Sequence, residues 1–378
     1  RDDGPGGPIL VLVQEPGFSR YLVEMLRAEG VSSFRVAPVA AMTPSLLAEH
    51  DVVLLGPASL SPRATADLTA WVEGGGSLVA IRPDPVLAPL LGLEPTPGGQ
   101  VEGYLQVDTT SAPGHGISGR PMQLHGKADH YRLAGATAVA GLLDRDRTPT
   151  GFPAVTMQVA GATAGFAVAF AYDLAASIVY TRQGNPEWAG QNRDGDLVTR
   201  SNDLFFGASL HDPQRDWVDP DLLDLPQADE QQRLLVQLIQ HISAPERPLL
   251  RFWYLPRELR AVVVMTGDDH ALNGTAERFA AYAALDRPGD SPEDWTDIRA
   301  TSYIYAGGSS LSSADAAAFA AQGFEICPHV TTGAMEWTTG SLSRAYRRQL
   351  AAFGRKYPEV PQPVSHRTHA VVWSDWAT

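Results

Sequence analysis

Two hydrophobic rhythms run along this chain. The runs Pro8-Ile9-Leu10-Val11-Leu12-Val13, Asp51-Val52-Val53-Leu54-Leu55-Gly56 and Ser77-Leu78-Val79-Ala80-Ile81 are short and unbroken. Such runs predict strands buried on both faces, as in a parallel sheet. Between them, Ser19 to Glu29 carries Tyr21, Leu22, Met25 and Leu26 at helical spacing and stops at Gly30. Ser61-Pro62 supplies an N-cap and a first-turn proline for a helix reaching Glu73, which Gly74-Gly75-Gly76 ends. That glycine run follows a helix and precedes a strand. A phosphate cradle needs the reverse order, so the run reads as a helix stop. Strand and helix alternate, which predicts a doubly wound α/β unit.

The pattern changes from residue 100 onward. Gln100 to Val107 and Ala154 to Val159 alternate apolar and polar positions, and Gly165 to Tyr172 is a further strand candidate. Together they predict a β-rich insertion in, or continuation of, the first unit. Residues 181–220 are polar and punctuated by Trp188 and Trp217, and they read as a long ordered connection. Asp194 and Asp196 fall far short of a calcium loop. Gln227 to Ile242 is amphipathic at helical spacing, and Ala244-Pro245-Glu246-Arg247-Pro248 breaks it. The main boundary is therefore expected near 245. It separates a domain over 1–245, with its insertion and loop at about 100–220, from one over 246–378.

In the second stretch, Ala261 to Thr266 predicts a buried strand, Arg299 to Tyr305 the next, and Phe324 to Ile326 a third. Ser312-Ser313 caps a helix that ends at Gln322-Gly323. Three motifs lie at the ends of strand-like segments: Thr266-Gly267-Asp268-Asp269-His270, then Glu325-Ile326-Cys327-Pro328-His329, then His366-Arg367-Thr368-His369. The C-terminal ends of strands are where α/β folds build their sites. Adjacent carboxylates, imidazoles and a guanidinium in that position are the groups that metal-assisted hydrolysis uses. Cys327 reads as a buried, inert thiol rather than a ligand or nucleophile. Asn273-Gly274-Thr275 fits a glycosylation pattern, but it lies close to these motifs.

Composition narrows the choice of partners. The chain has 378 residues, a net charge of −14 and a single cysteine. An acidic chain of this kind lacks the basic face that nucleic acid or anionic lipid needs. No apolar run reaches about 18 residues, so no membrane span is expected. The polar lead, Arg1 to Gly7, reads as the start of a processed or trimmed chain.

Two resemblances follow from these residues. Asp51 to Gly56, the Pro62 helix, the triple glycine and Ser77 to Ile81 resemble the class I glutamine-amidotransferase-like fold. The version resembled is the non-catalytic one found in β-galactosidase trimerisation domains, which implies a scaffold and homo-oligomer assembly. Catalytic members carry a cysteine nucleophile, and the only cysteine here is Cys327. Residues 258–378 resemble the polysaccharide deacetylases of the NodB-homology class, the carbohydrate esterase family 4 type. The motifs that carry this are Thr266-Gly267-Asp268-Asp269-His270, Ala300-Thr301-Ser302-Tyr303-Ile304, Gly323 to His329, and Arg367-Thr368-His369, in the family's order.

The second resemblance implies a distorted (β/α) barrel and a metal-dependent hydrolase. It implies Asp268 as general base, Arg367 as its orienting cation, and Asp269 and His329 as ligands of one divalent metal, zinc or else cobalt or nickel. The family's second metal histidine falls at Gly333 here. Period-two alternation along Pro363 to His369 turns His369 to the same side as Arg367 and His366 away. Asp269, His329 and His369 are therefore the expected triad, with His270 and His366 in reserve. The family's Pro-Tyr is replaced by His369-Ala370. A barrel of this kind needs roughly 200 residues, so further strands and a general acid are expected beyond Thr378. The implied function is removal of acetyl groups, N-acetyl before O-acetyl, from a carbohydrate, in a secreted or cell-envelope protein. The alternatives are a non-catalytic glycan-binding or assembly module, and a hydrolase of the same fold cleaving a glycosidic bond or a non-sugar amide. Trp295, Trp337, Trp373 and Trp376 are candidates for stacking on sugar rings.

Overall fold

The computed structural model describes residues 4–160, 165–196, 198–207, 214–245, 247–252, 255, 259, 261–270 and 274–374. The chain divides into two compact units: residues 1–184 with 218–258, and residues 185–217 with 259–378. Both are α/β. Among the described residues, no helix is long and apolar enough to cross a membrane.

The first unit is built on a nine-stranded sheet. Strands β1 (Ile9–Val13), β2 (Phe34–Pro38), β3 (Val52–Leu55), β4 (Ser77–Ile81) and β9 (Gly165–Phe170) pair in parallel in the order β2-β1-β3-β4-β9. Strands β5 (Leu93–Val107), β6 (Met122–Leu133), β7 (Thr137–Leu143) and β8 (Pro149–Ala160) extend the same sheet antiparallel beyond β9. The β-rich stretch is thus a continuation of the sheet. Alternation decides which core each residue enters. Ile9, Val11, Val13, Val79 and Ile81 join one core with Leu22 and Leu26 of α1 (Tyr21–Ala28) and Leu234 and Leu238 of α5 (Gln227–Ser243). Leu10, Leu12, Leu78 and Ala80 face the other way, onto Leu47 of α2 (Pro44–Leu47) and Leu68 and Val72 of α3 (Pro62–Glu73). The helix α4 (Leu174–Gln183) adds Leu174 and Ile178 to the first core.

The second unit holds a four-stranded parallel sheet, β10 (Thr266–Asp268), β11 (Thr301–Ile304), β12 (Glu325–Val330) and β13 (Arg367–Thr368), in sequential order. Helices α6 (Thr275–Ala283), α7 (Ser313–Ala321) and α8 (Thr339–Lys356) bring Phe279, Ala316 and Phe353 onto Ile304, Phe324 and Ile326. Phe279 and Phe324 stack with ring centroids 4.3 Å apart.

Two sequence expectations are corrected here. The predicted strand Ala261 to Thr266 is regular only from Thr266, and Val263 and Val264 are 78% and 77% exposed. The cause is register. Strand β11 begins at Thr301, opposite Thr266, so among the described residues the chain before Met265 has no ladder partner. The connection 185–217 belongs to the second unit rather than the first. Thr199 N donates to Glu336 at 2.9 Å, and Trp337 Nε1 donates to Thr199 O at 3.0 Å. Within that connection, the buried carboxylate of Asp203 accepts from the backbone N of Arg193, Asp194 and Arg200. Arg200 bridges Asp194 and Asp196 at 2.8 and 3.0 Å.

Candidate active site

Register brings the chemistry-bearing side chains onto one face of the second sheet. Asp268 pairs with Tyr303, Tyr303 with Cys327, and His329 with Arg367. Paired residues of a parallel sheet project to the same side, and so do residues two apart. Thr266, Asp268, Thr301, Tyr303, Glu325, Cys327, His329 and Arg367 therefore share the face opposite the helices.

Arg367 organises the outer end of this face. Its Nη1 donates to Asp268 Oδ1 at 3.0 Å and its Nη2 to Thr266 Oγ1 at 2.9 Å. The guanidinium also lies over the Tyr303 ring, 4.6 Å from its centroid. Asp268 faces two imidazoles as well: His329 Nδ1 at 3.7 Å from Oδ1 and His270 Nε2 at 3.6 Å from Oδ2. His329 is buried while His270 is 77% exposed, so the former is a fixed wall and the latter a surface arm. On its other side, His329 Nε2 meets His369 Nδ1 at 3.2 Å, with the rings nearly perpendicular. Burial pushes the His329 imidazole below its ordinary pKa, against the pull of the Asp268 carboxylate, and His369, Arg367 and His270 add to the depression. The neutral ring is the form that ligates metal.

The remaining predicted residues lie elsewhere. Asp269 follows Asp268 directly and so projects to the helix side. Its Oδ1 accepts from the backbone N of Thr275 at 2.9 Å and from the Thr275 hydroxyl, at the start of α6. His366 leaves the site and bonds the Tyr346 hydroxyl through Nε2 at 2.9 Å. Gly333 sits in a turn with φ +76°. Beneath the site, Glu325 Oε2 accepts from Thr301 Oγ1 at 2.6 Å and from Ser365 Oγ at 3.4 Å. The Cys327 thiol lies 3.4 Å from that serine, and burial pushes its pKa up to about 11. Trp295 is exposed, Trp337 is tied to Thr199, and Trp373 packs edge-on to Tyr346. Asn273 and Trp376 lie outside the described residues.

The donor set can be tested for fit to a metal. Zinc–imidazole bonds of about 2.0–2.1 Å at a tetrahedral angle set two ligating nitrogens about 3.3 Å apart. His329 and His369, at 3.2 Å, fit that spacing. Asp269, expected as their partner, accepts from Thr275 N and Oγ1 through its Oδ1 at the start of α6. Among the described residues, no group of three or more His, Cys, Asp or Glu side chains is arranged around a metal position. Sequence reasoning missed Tyr303 and Thr266, which seat Arg367. Thr266 could have been found by alternation outward from Asp268, whereas Tyr303 depends on the register of β11 against β10.

No protein-family model matches the chain, and no curated protein matches it. Among solved structures it is similar to a β-galactosidase from Rahnella sp. R3, with 17% identity over 44% of this chain and 28% of that one and a TM-score of 0.36. It is also similar to the exo-β-1,4-mannosidase Op5Man5 from Opitutaceae bacterium strain TAV5, with 16% identity over 47% and 33% of the two chains and a TM-score of 0.34. A third is the α-L-fucosidase isoenzyme 2 from Paenibacillus thiaminolyticus, with 12% identity over 45% and 29% and a TM-score of 0.34. The chain spans about a third or less of the length of each of these proteins.

Proposed function

We propose that the second unit is a hydrolase that removes acetyl groups, N-acetyl in the first place, from a carbohydrate. The observation that carries this reading is one cluster at the strand ends. A carboxylate clamped by a guanidinium at 3.0 Å lies beside a buried imidazole, which meets a second imidazole at 3.2 Å. The order of the motifs, which resembles the polysaccharide deacetylases, supplies the acetyl-sugar substrate class.

Asp268 is the general base. It takes the proton from the water that attacks the acyl carbon. Arg367 holds and aims that carboxylate through a charge-assisted bond to Oδ1. Tyr303 and Thr266 hold Arg367 in place. His329 and His369 would hold the divalent metal, zinc or else cobalt or nickel. Such a cation supplies Lewis-acid polarisation of the substrate carbonyl.

The test compares Asp268→Asn with the unaltered chain after incubation with zinc. It measures bound metal by elemental analysis and acetate released from N-acetylated and O-acetylated oligosaccharides. We expect metal content to be unchanged and acetate release to fall by about 10²–10⁴-fold. No acetate from any acetylated sugar by the metal-loaded chain would overturn the proposal. Equal rates in the variant would do the same.

One observation favours a second reading, a glycan-binding module without catalysis: Asp269 is committed to capping α6. That reading expects glycan binding by both proteins and acetate release by neither.

A further inference from the structure

Arg278 of α6 is 4% exposed. Among the described residues its hydrogen-bond acceptors are all neutral: Asp268 O at 2.6 Å from Nη1, and Ser302 Oγ at 2.7 Å and Gly267 O at 3.4 Å from Nη2. Its Nε meets no hydrogen-bond acceptor among the described residues. A buried guanidinium is costly unless a charge answers it. The answering charge is reached through two hydroxyls. Arginine only donates, so Ser302 Oγ accepts from it and must pass its own proton onward. Thr275 Oγ1 lies 2.6 Å from Ser302 Oγ and donates to Asp269 Oδ1. Ser302 is 0% and Thr275 1% exposed, so the relay is dry. Every donor in it points from Arg278 to the Asp269 carboxylate.

Space at the strand has been kept for this cation. A Cβ at Gly267 would lie 3.0 Å from Arg278 Nη1 and 3.1 Å from Cζ, tighter than ordinary contact. Gly267 therefore leaves the helix-side position beside Asp268 open to the guanidinium.

We propose that Arg278 is a positioning residue of the site. From the helix side it clamps the Asp268 carbonyl, with Asp269 as its counter-charge, and so sets where the Asp268 carboxylate stands against His329 and Arg367. The inference rests on the reading of Asp268 as the base of that site.

The test uses the full chain and the variants Arg278→Met, Arg278→Lys and Ser302→Ala. One readout is independent of turnover: the imidazole ¹⁵N spectrum at fixed pH after labelling of the histidines. Loss of the clamp should move the His329 signals and leave those of His366, bonded to Tyr346, in place. The other readout is acetate release, where we expect kcat to fall by about 10²-fold in Arg278→Met with KM little changed, the effect of a displacement of about 1 Å. Arg278→Lys should restore part of kcat and Ser302→Ala should lose less than Arg278→Met. If Arg278→Met does not fold, the lysine and alanine variants carry the test through the same two readouts. Folded variants with unmoved His329 signals and unchanged kcat would overturn the proposal. If the unaltered chain releases no acetate, the hydrolase reading falls, and the ¹⁵N spectra still decide whether Arg278 positions Asp268.

Discussion

At the residue scale, neighbouring groups at the second sheet have been sorted into different tasks by side and depth. Asp268 and Asp269 are adjacent in sequence, yet one meets Arg367 and His329 while the other caps α6. The alternation expected to turn Arg367 and His369 to a common side applies equally to these two aspartates and separates them. His369 reaches His329 by another route than a continuous strand, because β13 ends at Thr368 and His369 opens a 3₁₀ turn. Cys327 illustrates depth. Its thiol is fully buried and burial holds its pKa up to about 11, so alkylation by iodoacetamide at pH 8 should be slow in the native chain and fast in urea. Equal rates would mean that the thiol is open to solvent. The sign of the linkage follows. Between the thiol's ordinary value of 9.0 and about 11, the unfolded chain gives up a proton that the native chain keeps. Stability should therefore fall as pH rises through that window.

At the element scale, local signals explain the helices well. Ser61 Oγ accepts from Ala64 N at 3.2 Å, and Pro62 opens α3, as the Ser-Pro pair implies. Ser61→Ala should cost about 1 kcal/mol, read as a lowered urea midpoint with an unchanged slope. An unshifted midpoint would assign the helix start to tertiary packing alone. Ser312 caps α7 in the same way, through Asp315 N at 3.0 Å. Strands were less legible. Strand β2 reads Phe34-Arg35-Val36-Ala37-Pro38, too mixed to announce itself, and it forms because β1 offers a parallel ladder from Ile9 to Val13. The apolar run before Thr266 shows the opposite case, strong in propensity and without a partner strand. Strand formation depends on a neighbour that local sequence does not specify.

At the scale of the whole molecule, both units are discontinuous in sequence. The connection 185–217 belongs to the second unit through bonds such as Trp337 Nε1 to Thr199 O. Trp337→Phe removes that bond and leaves a buried carbonyl short of a donor. We expect a loss of about 1 kcal/mol in the unfolding of the second unit, followed by denaturant titration with two-step fitting. No change would mean that the segment contributes nothing through this contact. The sequence by itself determined the α/β class, the two-core alternation of β1, β3 and β4, the helix caps, and the candidate residues Asp268, His329 and Arg367. The class, the alternation and the caps follow from periods and capping signals that act within a few residues, and the candidate residues from motifs that resemble a known family. Only the tertiary structure decided that the stretch from 93 to 160 continues one sheet, that 185–217 joins the second unit, that Asp269 faces α6, and that Arg278 stands behind Asp268. Each of those depends on strand register or on contacts between residues distant along the chain, and neither is encoded in the local pattern of apolar and polar positions.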